Sequence, residues 1–279
     1  MRGETTVIEK NEPYKGIATI YEKVRPSYPE KLIQDVISKT GIELSDKLLE
    51  IGAGTGKATI QFAEKGFRIH AIELGVDMAE ILKEKCIEYP KVSLEVTSFE
   101  KWNFENYKKF DVIYCAQAFH WLDTNIKYKK CHELLNSHGY LVLFWYNTDE
   151  AELDETKIID EKVEKIVQKY VADYFIDKGK PKRRTHLGMS NKDEREAEIE
   201  ASGLFEMIEK IEYTQEIKNN AQQYLQAQKT VPTFATILDG LDDETIERME
   251  NEIEEVINTH GGYVGTLFKF SLYITKKII

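Results

Sequence analysis

A chain of 279 residues, 42% hydrophobic and 31% charged, holds enough apolar material for one large α/β domain or for a core carrying an insertion. A formal net charge of -11 argues against a broad nucleic-acid footprint, because phosphate binding draws on clustered Lys and Arg. No apolar run is long enough to span a bilayer, and the segment Met1 to Thr5 lacks the apolar stretch of a signal peptide, so a cytoplasmic protein without a membrane partner is expected. Cys86, Cys115 and Cys131 are scattered without C-x-x-C spacing; they read as reduced core or helix residues, and no metal site is expected.

In chain order, the spacing predicts a helix over 29–40 with Leu32, Ile33, Val36 and Ile37 on one face. Apolar runs predict strands over 47–51, 68–73, 92–97, 110–116 and 140–146, with helices over 59–65, 78–88 and 126–135 between them. Gly66, Pro90 and Gly139 fall at the ends of those helices, where such residues stop a helix. This alternation predicts a parallel sheet with helices on both faces. After Asn147 the pattern changes. A charged helix is expected over 150–174, then a basic loop, Lys178 to Arg184, which reads as a solvated loop or as an electropositive flap drawing in an anionic substrate. A helix over 193–202, a half-exposed strand over 205–213, a helical stretch over 219–257 and a strand over 267–276 complete the chain.

The stretch Leu48-Leu49-Glu50-Ile51-Gly52-Ala53-Gly54-Thr55-Gly56-Lys57 carries the most chemistry. An apolar strand runs into a turn with glycine at every second position, which lets the backbone turn sharply and approach a ligand, and the next helix presents free N–H groups to the same space. A dinucleotide-binding turn places its third glycine three positions after the second; here that position is Lys57. Glu73 closes the second strand, where open α/β sheets bind ligands, and one ionised carboxylate can accept from both hydroxyls of a ribose. Leu74 beside it is assigned to the same set. Ser98 and Phe99 follow the third strand and would lie beside a base, although Phe99 and Trp102 also suit a core. Ala116 and Gln117 end the fourth strand, and His120 and Trp121 would open the next helix.

The form E-x-G-x-G-x-G resembles the first motif of class I S-adenosylmethionine-dependent methyltransferases. Two further blocks agree in order: Tyr21-Glu22-Lys23-Val24-Arg25-Pro26-Ser27-Tyr28-Pro29, and Ser98-Phe99-Glu100 followed by Ala116-Gln117-Ala118-Phe119-His120-Trp121. Together they look like the group that includes trans-aconitate methyltransferases and related small-molecule enzymes, over roughly residues 14 to 146. The resemblance implies a Rossmann-like seven-stranded sheet, mostly parallel with the last strand antiparallel, and a helical cap insertion. It implies a cofactor-binding core over 1–149 with an N-terminal lid, a cap and substrate-recognition region over 150–204 and 214–262, and strands over 205–213 and 267–276 that complete the sheet. S-adenosylmethionine would be the cofactor, touching Tyr21, Arg25, Glu50, Gly52, Gly54, Gly56, Glu73, Leu74, Ser98, Phe99, Ala116 and Gln117. Tyr28, His120, Trp121 and Tyr146 would line the pocket of a small-molecule substrate.

Because the cofactor is a reactive sulfonium, the protein need only align a nucleophile and exclude water. Trp121, Phe119 or Tyr146 are candidates for cation–π contact with it. A carboxylate acceptor needs no base; a hydroxyl or amine would need one, and His120 is then the candidate catalytic residue, with a hydrogen-bonded structural histidine as the other reading. The absence of N-P-P-Y or D-P-P-Y runs and of a P-C context points away from methylation of amide or adenine amino groups and of cytosine. A sensor or partner protein that binds the cofactor without turnover, and a nicotinamide-dependent oxidoreductase on a similar sheet, are the competing readings.

Overall fold

The computed structural model describes residues 16–105, 107, 109–148, 154–178 and 192–279. Seven strands form one sheet in the order β3-β2-β1-β4-β5-β7-β6. They are β1 (Lys47–Ile51), β2 (Arg68–Glu73), β3 (Val92–Val96), β4 (Phe110–Ala116), β5 (Leu135–Thr148), β6 (Phe205–Asn220) and β7 (Tyr263–Lys277). β1 to β5 pair in parallel, and β7 runs antiparallel to both of its neighbours. This is the mostly parallel sheet with an antiparallel last strand that the resemblance implied.

The alternation along each strand divides the core into two layers. Leu48, Val112, Tyr114, Val142, Phe144 and Leu272 face one side. There they meet α2 (Glu30–Thr40) and α3 (Lys57–Glu64) through Leu32, Ile33, Val36 and Phe62. Leu49, Ile51, Ile113, Leu143 and Trp145 face the other. They meet α5 (Lys127–Leu134) and α7 (Lys192–Ala201) through Tyr128, Cys131, Leu134 and Ile199. Each such fully buried aliphatic side chain contributes about 1.5–3 kcal/mol of transfer free energy, so the two layers hold the sheet rigid behind the site.

A second, smaller core joins α6 (Asp154–Lys178), α8 (Ala221–Lys229), α9 (Pro232–Leu238) and α10 (Asp243–Thr259), with Ile159, Val163, Tyr224, Leu225, Met249, Ile253 and Ile257 at its centre. The β6–β7 ribbon carries it. β5 ends its pairing at Thr148 opposite Phe268, whereas β6 and β7 continue together to Asn220 and Tyr263. Val264, at the far end of the ribbon, is buried in the helical core.

Several extents differ from the sequence reading. Residues 214–220 belong to the ribbon, because they pair residue by residue with β7 although Ile217 is their one apolar side chain. The stretch expected as one helical run over 219–257 is three helices, broken at Thr230–Val231 and at Asp239–Asp242. α7 packs on the main sheet through Ile199 and not on the helical core. A further helix, α1 (Ala18–Val24), lies before α2, and α4 (Val76–Lys85) follows β2. Residues 1–15 of the expected lid and residues 179–184 of the basic loop lie outside the described residues.

Candidate functional site

The site forms where β1, β2 and β4 end. Backbone N–H groups of Gly52 and Ala53 both donate to the Ile72 carbonyl, at 2.8 and 3.1 Å, which pins the glycine turn to β2. Gly52, Gly54 and Gly56 have φ of 69°, 58° and 85°, the left-handed region that favours glycine. Their surroundings differ. A Cβ on Gly52 would lie 2.4 Å from the Ala118 Cβ, so Gly52 is required by the close approach of the loop after β4. A Cβ on Gly54 would meet nothing within 4 Å, so Gly54 borders open space.

Glu73 stands across from that space. Its Oε2 accepts from the Gly54 N–H and its Oε1 from the Gly75 N–H, each at 2.7 Å, and the Leu74 backbone donor also faces the carboxylate. Burial pushes its pKa up. A carboxylate has about four lone-pair sites, so both oxygens, now fixed in direction, retain acceptor capacity. Glu50 is deeper. It accepts at Oε2 from Thr59 Oγ1 (2.5 Å) and Tyr114 OH (2.8 Å), and burial raises its pKa to about 8.

At the end of β4, Gln117 adopts φ 64°, and it is the one non-glycine residue in the left-handed region among those described. Such a residue is held there by its surroundings at a cost of about 1–3 kcal/mol, and strain of this kind concentrates at functional sites. The holding bonds are Gln117 N–H to Phe144 O and Nε2 to Tyr146 O, both 3.0 Å. Its Oε1 is buried with no partner, as is Thr55 Oγ1 in the glycine turn.

α1 covers the turn. Glu22 pairs with Lys85 at 2.5 Å and Lys57 at 3.7 Å, and Lys57 Nζ also donates to Glu22 O at 2.8 Å. Arg25 donates to the Thr230 carbonyl of the helical cap at 2.8 Å and lies over the Tyr21 ring. A cleft of about 340 Å³, open to solvent, is left between these parts. Tyr21, Tyr28, Glu50, Gly52, Gly54, Ala116 and Tyr146, all singled out in the sequence, line it. Pro26, Ala53, Thr55, Lys57 and Ala58 line it too. Thr55 and Lys57 stand inside the glycine motif itself, which was the available signal.

Three expectations change. The Phe99 ring is 3% exposed in the layer under α5, with Lys130 Nζ 5.1 Å above it, so it is a core residue and not a cover for a base. Ser98 remains at the loop surface, where its Oγ accepts from Lys101 N–H at 3.3 Å. His120 and Trp121 sit in a short 3₁₀ turn, Phe119–Trp121, with α5 starting only at Lys127. The Trp121 ring is 48% exposed.

His120 is constrained further. Trp145 Nε1–H points at His120 Nδ1 at 3.4 Å, so the neutral ring carries its proton on Nε2. Burial, then the charges of Arg195 and Lys127, lower its pKa to about 4. At neutral pH it is a hydrogen-bond donor at Nε2 and a poor general base.

The strand order and the antiparallel seventh strand are those of the Rossmann-like methyltransferase fold, and residues 48–139 match the family model described as a methyltransferase domain. The chain is 32% identical over 161 residues to an uncharacterized methyltransferase-like protein of Schizosaccharomyces pombe, covering 57% of this chain and 59% of that one. It is 31% identical over 130 residues to an uncharacterized methyltransferase of Mycobacterium tuberculosis, covering 47% and 50%. The chain thus spans about half the length of the curated relatives it matches. Among solved structures, the YcgJ protein of Bacillus subtilis aligns over 90% of this chain and 100% of its own, with TM-score 0.54 and 17% identity. A phosphoethanolamine N-methyltransferase of Haemonchus contortus, solved with phosphomonomethylethanolamine and S-adenosylhomocysteine, aligns over 98% of this chain and 61% of its own, with TM-score 0.54 and 14% identity. Among the described residues, no helix is long and apolar enough to cross a membrane, and no group of three His, Cys, Asp or Glu is placed to hold a metal ion.

Proposed function

We propose that the protein is an S-adenosylmethionine-dependent methyltransferase acting on a small molecule, with carboxylate O-methylation as the leading reading. The observation that carries it is the open position at Gly54 facing a Glu73 carboxylate whose two oxygens are fixed by backbone N–H groups. The orphaned Thr55 Oγ1 and Gln117 Oε1 fit a ligand rich in hydroxyl and ammonium donors. Lys57 stands where a dinucleotide-binding turn places its third glycine, which disfavours a dinucleotide.

When bound, the cofactor supplies an electrophilic methyl group on a sulfonium. Glu73 would accept from the ribose hydroxyls, and the 52–56 turn would receive the methionine end near Ala116. α1 and the cap helices exclude water over the cleft, with Tyr28 and Tyr146 as its aromatic wall. The chain's own part would be to hold an acceptor oxygen in line with that methyl group. A carboxylate acceptor is already ionised, which suits a His120 that donates rather than abstracts. The cap, from α6 and α8 to α10, selects the acceptor. The test is calorimetric binding of S-adenosylhomocysteine, followed by methyl transfer from labelled cofactor to a panel of carboxylic acids. Binding without transfer to any of them, with transfer to amines instead, would overturn the carboxylate reading.

A further inference from the structure

Lys57 opens α3 inside the glycine motif, and it is the one cation among the described residues that line the cleft beside the turn. Its side chain is 13% exposed, and burial lowers its pKa. A buried ammonium needs partners for its three N–H groups. Among the described residues Lys57 Nζ makes one hydrogen bond, to the Glu22 carbonyl at 2.8 Å. The Glu22 carboxylate belongs to Lys85. Its Oε1 is 2.5 Å from Lys85 Nζ, whereas its Oε2 stands 3.7 Å from Lys57 Nζ and is buried without a hydrogen bond. Lys85 also donates to the Thr55 carbonyl at 3.0 Å, so of the two lysines under α1 it is Lys57 that is incompletely matched.

The surroundings of Lys57 suit an anion. α3 has Gly56 as its N-cap, no side-chain cap and no acid in its first turn, which leaves its positive end to a ligand. Thr55, in the turn before it, is 1% exposed and lines the same cleft, and its Oγ1 is buried with no partner. Glu50 lines the cleft as well, but it is bonded to Thr59 and Tyr114, and with a pKa of about 8 it holds its proton at neutral pH and does not repel an anion. Arg25, the cation that the resemblance assigns to the cofactor, does not line the cleft; its Nη2 donates to the Thr230 carbonyl of the cap at 2.8 Å.

We propose that Lys57 holds the carboxylate at the amino-acid end of the cofactor, with Thr55 Oγ1 as a second donor, in place of Arg25. The inference deepens the cofactor reading and rests on it. Charge-assisted hydrogen bonds of this kind are about twice as strong as neutral ones. The two ends of the ligand are then read by opposite charges, the ribose by Glu73 and the amino-acid arm by Lys57. Fixing the arm fixes the sulfur at its other end, so Lys57 sets the direction in which the methyl group is presented without touching it. The N–H group that Lys57 gives to the Glu22 carbonyl stays in place, and Glu22 keeps Lys85, so α1 remains fastened over the arm.

The test uses the full chain, as wild type, Lys57→Met, Lys57→Arg and Arg25→Gln, in calorimetric titrations at neutral pH with three ligands. These are S-adenosylhomocysteine, decarboxylated S-adenosylmethionine, which keeps the amine and lacks the carboxylate, and methylthioadenosine, which lacks the whole arm. Lys57→Met should bind S-adenosylhomocysteine at least tenfold more weakly, with its affinity for the two carboxylate-free ligands changed less than threefold. Lys57→Arg keeps the charge and should recover part of the loss. Arg25→Gln should change all three affinities by a similar factor. A merely structural lysine predicts equal losses for all three ligands, because a displaced turn or α1 affects each of them. If Lys57→Met does not fold, Lys57→Gln, which keeps a donor, carries the comparison. Equal factors for the three ligands at position 57, or a carboxylate-selective loss in Arg25→Gln alone, would overturn the proposal. Wild-type binding of methylthioadenosine as tight as that of S-adenosylhomocysteine would also overturn it and leave the cofactor class standing. Failure of the wild type to bind any of the three would instead overturn the cofactor reading, and this inference with it.

Discussion

Gly52 and Gly54 sit two residues apart in one turn, share left-handed φ values, and should respond to the same substitution in opposite ways. In Gly52→Ala the new methyl falls 2.4 Å from the Ala118 Cβ, an atom that no rotamer change can move, so the backbone must shift. Overpacking of this kind costs about 1–3 kcal/mol, and holding a residue with a Cβ in the left-handed region about 1–2 kcal/mol more. Gly54→Ala incurs only the second cost, because nothing lies within 4 Å of the added methyl. With roughly 2–4 °C per kcal/mol for a chain approaching this size, Gly54→Ala should lower the melting midpoint by about 2–8 °C and Gly52→Ala by at least twice as much. The order reverses for binding. The Gly54 methyl enters the cleft, so affinity for S-adenosylhomocysteine should fall tenfold or more, about 1.4 kcal/mol, at 25 °C where both proteins are folded. Circular dichroism melts and calorimetry read both quantities. Unchanged affinity in Gly54→Ala would remove the turn from the cofactor site, and equal midpoints in the two variants would refute the Ala118 contact as the reason for Gly52.

Other expectations follow from the carboxylates and from His120. Glu73→Ala leaves the N–H groups of Gly54 and Gly75 without their acceptor, so calorimetry should show S-adenosylhomocysteine binding weakened about 10- to 100-fold, with a stability loss of about 1–3 kcal/mol in urea melts; an unaffected affinity would exclude Glu73 from the ribose contact. Glu50 has a folded pKa of about 8, above the value near 4.3 of an unfolded glutamate, so the folded state holds the extra proton and the protein loses stability as pH rises through that window. Glu50→Gln keeps an acceptor for Thr59 and Tyr114 and should gain in midpoint relative to wild type between pH 5 and pH 8; a constant difference across that range contradicts the assignment. His120 behaves with the opposite sign. Its folded pKa of about 4 lies below the unfolded value near 6.5, so its contribution is complete above that value and is lost as pH falls toward 4. His120→Gln should show a shallower acid decline in midpoint than wild type, and the wild-type rate should show no inflection between pH 5.5 and 8 that the variant lacks.

How much of this could be read from the chain alone depended on burial. β1, β2 and β4 are buried on both faces between two helical layers, so they appear as short apolar runs with glycine at their ends, and their limits were legible to within a residue or so. The outer ribbon was not. β6 continues seven residues past Tyr213 with only polar residues and Ile217, because it is held by pairing to β7 and not by an apolar face. α1 has seven residues and little intrinsic tendency to form a helix. Glu22 to Lys57 and Lys85 and Arg25 to Thr230 hold it, and such tertiary bonds leave no periodic trace. At the site, the glycine turn and Glu73 were legible because their spacing serves the backbone. Phe99 was left between two readings because an aromatic residue after a strand suits a ligand and a core equally, and its ring packs in the core under the helix bearing Lys130.

The most direct measurement is calorimetric titration of the purified protein with S-adenosylhomocysteine, with NAD as the parallel ligand. Saturable binding of S-adenosylhomocysteine with one site and no heat from NAD is the predicted result, since Lys57 stands where a dinucleotide turn needs its third glycine. Binding of NAD alone, or of neither ligand, would contradict the assignment of the Gly52–Gly56 turn and Glu73 to this cofactor.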